Sequence, residues 1–106
     1  MVTYEDFKKL EFMVAQIKEV SDHPNADRLY VLKVDNGKEV KQIVAGIRGT
    51  YTKEELLGRK IVLLNNLEPA VIRGQESQGM LLAATGEAGP IILLPEKDVP
   101  VGSIVK

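Results

Sequence analysis

The sequence predicts an all-β fold, a five-stranded antiparallel Greek-key barrel with a short helix between its third and fourth strands. Three observations predict it. Short apolar runs bounded by turn residues recur along the whole of the 106 residues. Asn36-Gly37, between two such runs, is the strongest short hairpin signal the chain offers. One capped helical segment follows the third run and precedes the fourth. A chain of this length is one domain with room for a single core.

Each element has its own local reason. Thr3 to about Leu10 reads as a short amphipathic helix: Thr3 suits the N-cap, Asp6 follows three residues later, and Phe7 and Leu10 share a face. The first strand runs from Phe12 to about Val20. A turn-rich loop, Ser21–Asp27, follows, where Pro24 fixes its own torsion and Asp and Asn side chains bond nearby backbone. Arg28–Asp35 and Lys38–Ala45 are the second and third strands around Asn36-Gly37. Thr52–Gly58 is a helix of one to two turns, with Thr52 and Glu55 as a capping box and Gly58 as its C-terminal stop.

Arg59–Leu64 is the fourth strand, Asn65–Gln78 a long polar loop, and Gly79–Ala84 the fifth strand. Beyond it, Ile91–Leu94 and Gly102–Val105 are short extended pieces of a C-terminal extension. The expected division is 1–11 N-terminal helix, 12–84 barrel and 85–106 extension. Three strands, a helix and two strands is the order of the OB barrel. That fold binds oligonucleotides on the face of strands two and three and with its long loops.

Composition excludes several functions. With no cysteine there is neither a disulfide nor a thiolate metal site, which agrees with a reducing compartment. The charged start, MVTYEDFKKLE, is unlike a secretory leader, and the apolar runs are far shorter than the roughly 20 residues of a membrane span. A cytoplasmic protein with no membrane partner is expected. The net charge of −1 hides an uneven distribution. Lys and Arg number three against six Asp and Glu in residues 1–27, nine against five in 28–73, and two against four in 74–106. A basic centre can face phosphate although the whole is neutral, because binding responds to the local field. The alternative is a set of solvated strand-edge lysines.

No catalytic residue and no cofactor is expected. His23 is the one histidine, in a Pro/Asn turn, and is read as half of a turn-stabilising His/Asp pair rather than as a metal ligand with Asp22 and Asp27. Gly74–Gly79 has one residue too many before Ser77 for a nucleophile elbow, and lies between strands rather than between strand and helix. Donors in loops around a basic strand face remain. Lys33, Lys41, Arg48, Lys60 and Arg73 suit phosphate oxygens. Asn65, Ser77 and Gln78 suit ribose or base edges, and Met80 suits either the core or the face of a base. With only five Phe and Tyr and no Trp, a stacking platform for bare single strands is poorly supplied, which favours a folded RNA read by shape and backbone.

Several strings carry a resemblance. Asp6-Phe7, Val14-Ala15-Gln16-Ile17, His23-Pro24-Asn25-Ala26-Asp27-Arg28-Leu29 and Gln42-Ile43-Val44-Ala45-Gly46-Ile47 come in the first half. Tyr51 with Glu54–Lys60, Asn66-Leu67-Glu68-Pro69, Arg73-Gly74 and Ser77–Ala84 come in the second. Over essentially its whole length the chain resembles the OB-fold tRNA-binding domain family. That domain occurs as a small dimeric tRNA-binding protein, at the C-terminus of methionyl-tRNA synthetase, in a synthetase-associated cytokine precursor and in a secretion chaperone.

The resemblance implies a symmetric homodimer built by the segments outside the barrel. It implies tRNA bound at the outer corner without strong dependence on sequence, and the methionyl-tRNA synthetase catalytic chain as a further partner. Its matching binding positions are Lys33, Lys41, Gln42, Asn65 or Asn66, Arg73, Ser77 and Met80. Two departures weaken the field: Met13 stands where many relatives have Arg, and Glu68 where relatives often have Lys. The rival expectation is a peptide-binding chaperone of the same fold; a third is a module that only dimerises synthetase subunits.

Overall fold

The long strand β1 (Phe12–Asp22) organises the sheet in the computed structural model, which describes all 106 residues. Its first half, Phe12–Gln16, pairs antiparallel with β4 (Lys60–Leu64); its second half, from Gln16 to Asp22, pairs with β2 (Tyr30–Asp35). The register slips between Ile17 and Glu19, leaving Lys18 as an extra residue. A bulge of this kind bends the strand and increases its twist, which lets one strand serve two parts of a barrel wall.

Strand β3 (Val40–Ala45) follows β2 as a hairpin partner. Asn36-Gly37 does turn the chain, but through four residues, because Asp35 pairs with Val40. Asn36 is buried at 3% and its Oδ1 accepts from the N–H groups of Lys38 and Glu39 at 3.0 and 2.9 Å. The side chain thus caps a longer turn than a two-residue Asn-Gly hairpin would make. Gly37 takes φ +93°, and a Cβ there would lie 3.2 Å from the Val101 carbonyl.

Helix α1 (Tyr4–Lys8) has its Thr3 N-cap, with the Asp6 N–H donating to Oγ1 at 3.1 Å. Helix α2 (Lys53–Leu56) shows the full Thr52–Glu55 capping box. Hydrogen bonds from Thr52, its backbone N–H first, hold the Glu55 carboxyl below its ordinary range. Gly58, at φ +86°, ends that helix as expected.

The segment expected as a plain loop, Asn65–Gln78, contains a hairpin of its own. Strands β5 (Ala70–Ile72) and β6 (Gln75–Ser77) pair antiparallel around Arg73-Gly74. Its short length hid it, since three-residue strands leave little alternation to read. The fifth strand is also shorter than expected: β7 (Met80–Leu81) pairs with β4, and the chain then leaves the barrel as β8 (Ala83–Gly86) and β9 (Gly89–Ile92). Strand β10 (Ile104–Val105) returns to the free edge of β1 at Phe12 and Met13.

The order β3-β2-β1-β4-β7 is that of a five-stranded OB-type barrel. Its core gathers Ile17, Leu32, Val34, Ile43, Ile61 and Leu63, each 0% exposed, with Leu56 of α2 at one end. No strand ladder closes the gap between β3 and β7; a single backbone bond from Gln78, together with the side chains of Gln78 and of Ser77 in β6, closes it.

Candidate nucleic-acid interface

Strand β3 and the β5–β6 hairpin lie side by side, and the residues that join them are those the sequence nominated for contact. The Gln78 N–H donates to the Gln42 carbonyl at 2.8 Å, and the Gln42 N–H donates to Gln78 Oε1 at 2.9 Å. Gln42 Nε2 donates to the Glu76 carbonyl at 2.9 Å, and Lys33 Nζ donates to Gln42 Oε1 at 2.7 Å. Lysine has only donors, so this contact fixes which end of the Gln42 amide is oxygen. Ser77 is 5% exposed; its hydroxyl accepts from the Val44 N–H at 3.0 Å and donates to the Gly79 carbonyl at 2.9 Å. Both of its roles are used inside the protein.

The asparagines serve the N-terminal segment in the same manner. Asn66 Oδ1 accepts from the Glu11 N–H at 2.9 Å and its Nδ2 donates to the Lys9 carbonyl at 2.7 Å. Asn65 accepts from Asn36 Nδ2 at 2.8 Å and donates to Glu11 Oε1 at 3.2 Å, while its carbonyl accepts from Lys41 Nζ at 2.8 Å. The amide groups that the sequence offers to a ligand are largely engaged in joining turn, strand and helix.

At its tip the hairpin docks on the Ser21–Asp27 loop. His23, 3% exposed, accepts the Asn25 N–H on Nδ1 at 2.9 Å, so Nε2 carries the proton and donates to the Ile72 carbonyl at 2.9 Å. The histidine stabilises its turn, but through the Asn25 N–H rather than through an aspartate, and the turn clasps a second hairpin. Arg73 stands beside this clasp with φ +52°, and one guanidinium nitrogen donates to the Asn25 carbonyl at 3.0 Å.

The five nominated cations divide by what they touch. Arg48 meets Asp22 at 3.4 Å, a carboxylate that also takes Lys53. Lys60 meets Asp98 at 2.7 Å and the Val99 carbonyl at 2.7 Å, which ties it to the C-terminal extension. These two charges are offset by carboxylates. Lys33, Lys41 and Arg73 instead donate only to neutral oxygens, of Gln42, Asn65 and Asn25. They keep their net positive charge on β2, β3 and the hairpin tip, and a phosphate can add to such groups without displacing an anion. Met80 adds a half-exposed thioether at the barrel edge.

Sequence reasoning did not single out Arg28. It is exposed and lines the groove between the Asn25 turn and Arg73, and its lack of a carboxylate partner is visible only in three dimensions. Glu68 is exposed and forms no ion pair. No helix is long and apolar enough to cross a membrane.

Comparisons with known proteins agree with this geometry. The family model described as "Putative tRNA binding domain" matches residues 12–104. The methionine–tRNA ligase of Thermococcus onnurineus is 51% identical over 105 residues, which covers 99% of this chain and 14% of that protein. The chain therefore spans a small part of the curated relatives it matches. Among solved structures, a MetRS related protein from Pyrococcus horikoshii superposes with a TM-score of 0.92 at 34% identity, covering 100% of this chain and 98% of that one. The CsaA chaperone protein of Picrophilus torridus superposes with a TM-score of 0.93 at 34% identity, covering 100% of both chains.

Proposed function

The chain belongs to the tRNA-binding domain family, and from that premise we propose that it binds folded tRNA by shape and backbone, as a module serving methionyl-tRNA synthetase. It is a binding module rather than an enzyme in its own right. The observation that carries this reading is the set of three cations, Lys33, Lys41 and Arg73, whose hydrogen bonds go to neutral oxygens alone. Phosphate contacts supply affinity without reading sequence. The scarcity of aromatic residues fits a ligand that keeps its own bases stacked. Because Ser77, Asn65 and Asn66 spend their polar atoms within the protein, the hydrogen bonds to ligand come chiefly from the lysines and Arg73, with Gln42 and Gln78 holding the surface in shape.

The module acts as a homodimer. Support comes from the apolar strip that helix α1 leaves in solvent: Tyr4, Phe7 and Leu10 are 71%, 37% and 44% exposed. The Tyr4 and Phe7 ring centroids lie 6.5 Å apart, and those of Phe7 and Phe12 lie 6.1 Å apart. Ile104 of β10, 67% exposed, lies across β1 from Leu63, in the register of Met13. A second copy would cover these side chains.

The second reading, a peptide-binding chaperone, is favoured by the likeness to the CsaA structure and by the same apolar strip. Competition on one preparation separates the two. Labelled unfractionated tRNA at about 50 mM salt is retarded in a gel and displaced by unlabelled tRNA but not by an unfolded polypeptide. Absence of retardation at that salt, with capture of the polypeptide instead, would establish the chaperone reading.

A further inference from the structure

Arg28 stands where two grooves meet. Its carbonyl accepts the Arg48 N–H at 3.3 Å, which fixes the residue against the turn that leaves β3. Its side chain enters none of the molecule's ion pairs, which engage Lys8, Lys9, Arg48, Lys53 and Lys60. On one side it lines a groove with Asn25, Asp27 and Arg73. On the other it lines a groove of about 390 Å³ with Gly46, Gly49, Thr50 and the Gly89-Pro90 turn of β9.

The two grooves differ in charge. The first includes the Asp27 carboxylate, which repels an anion. The second has no acidic residue in its lining. It has two unused donors instead: neither the Gly46 nor the Gly49 N–H finds an acceptor in the protein, whereas the neighbouring N–H groups of Arg48, Thr50 and Tyr51 do. Both glycines are exposed, and a Cβ at Gly49 would meet nothing within 4 Å. A free guanidinium lining one groove with free backbone amides is an anion-binding combination, since each supplies positive charge that no internal partner cancels.

We propose that Arg28, with the amides of Gly46 and Gly49, holds a backbone phosphate of bound RNA, continuing past the end of β3 the track that Lys41, Lys33 and Arg73 begin. Val40 to Ala45 spans roughly 17 Å at a strand's rise per residue, so this contact lies several nucleotides' width from that of Lys41. The inference rests on the tRNA-binding reading.

Its test uses the full chain with tRNA at 50–200 mM salt, comparing the wild type with Arg28→Gln and Arg59→Gln. Arg59 is likewise free of ion pairs and lines a different groove, with Lys60 and Lys97. One lost phosphate contact lowers the slope of log affinity against log salt by about 0.7–0.9, or about threefold over this range. That loss is expected for Arg28→Gln and not for Arg59→Gln. Equal slopes for wild type and Arg28→Gln, or an equal loss from Arg59→Gln, would overturn the proposal.

Amide spectra supply the second readout and show that each variant is folded. tRNA should shift the Gly46 and Gly49 resonances of the wild type and leave them in place in Arg28→Gln. A shift with inorganic phosphate alone, and none with bound tRNA, would assign the groove to a free anion and overturn the RNA contact. If the wild type binds no tRNA at 50 mM salt, the tRNA-binding reading itself has failed, and the proposal with it.

Discussion

Gln42 and Gln78 close the barrel by holding each other: each donates its backbone N–H to the other, Gln78 to a carbonyl at 2.8 Å and Gln42 to a side-chain oxygen at 2.9 Å. A strand pair would close the same gap with two backbone bonds. Here β7 is too short to reach β3 in register, and a side-chain amide takes the place of a missing peptide. Gln78→Ala removes that acceptor and leaves the half-buried Gln42 N–H unpaired, at a cost of ~1–3 kcal/mol. Urea unfolding monitored by circular dichroism measures it, and Gln78→Ala with wild-type stability would mean that the closure does not hold in solution.

Ser77 separates structure from recognition most cleanly. Its buried hydroxyl bridges Val44 and Gly79, so Ser77→Ala should destabilise by ~1–3 kcal/mol. The folded variant should bind tRNA as the wild type does at a temperature well below its unfolding. Wild-type stability with lost affinity would return Ser77 to the ligand.

His23 clasps the β5–β6 hairpin through Ile72. His23→Ala leaves the Ile72 carbonyl and the Asn25 N–H without their partners, so the hairpin tip should open more often than the barrel does. Hydrogen exchange of the Ile72–Glu76 amides should quicken about tenfold or more, since a local loss of ~1.4 kcal/mol corresponds to a factor of ten. Unchanged exchange there would show that the hairpin docks by other means.

Lys60 and Asp98 make a pH-dependent tie to the C-terminal extension. The hydrogen bond from Lys60, reinforced by its charge, holds the Asp98 carboxyl below its ordinary range. The folded value is the lower one, so the pair's contribution is present above the ordinary Asp range and is lost as pH falls through the folded value. A carbon-detected titration of Asp98 should show a depressed midpoint that returns to the ordinary range in Lys60→Met. A midpoint indifferent to Lys60→Met would mean the tie is absent in solution.

The barrel was legible because its signals are local. Thr52 and Glu55 announce α2, Gly58 its end, and the apolar alternation of Lys38–Ala45 its strand. The β5–β6 hairpin was not, because three-residue strands carry no period and Arg73, rather than the usual Asn or Gly, takes the first of the turn's two positive-φ positions, ahead of Gly74. The candidate site was legible as a set of residue types more than as a set of contacts. A sequence shows that Lys33, Lys60 and Arg73 are cations, but it takes the fold to bring Asp98 to Lys60 and only neutral oxygens to Lys33 and Arg73. Likewise Ser77 and Asn66 look free until Val44, 33 residues from Ser77, and Glu11 and Lys9, 55 and 57 residues from Asn66, are in place.

That division of cations is the central claim, and one comparison tests it most directly. tRNA affinity is measured by fluorescence anisotropy across 50–200 mM salt for two double variants of equal charge, Lys33→Gln with Lys41→Gln and Arg48→Gln with Lys60→Gln. The first pair should lower the salt slope by about 1.4–1.8, two contacts' worth, and weaken binding throughout, while the second leaves the slope unchanged. Equal losses from both pairs would contradict the account, because they would make tRNA binding a response to total charge rather than to cations without carboxylate partners on β2 and β3.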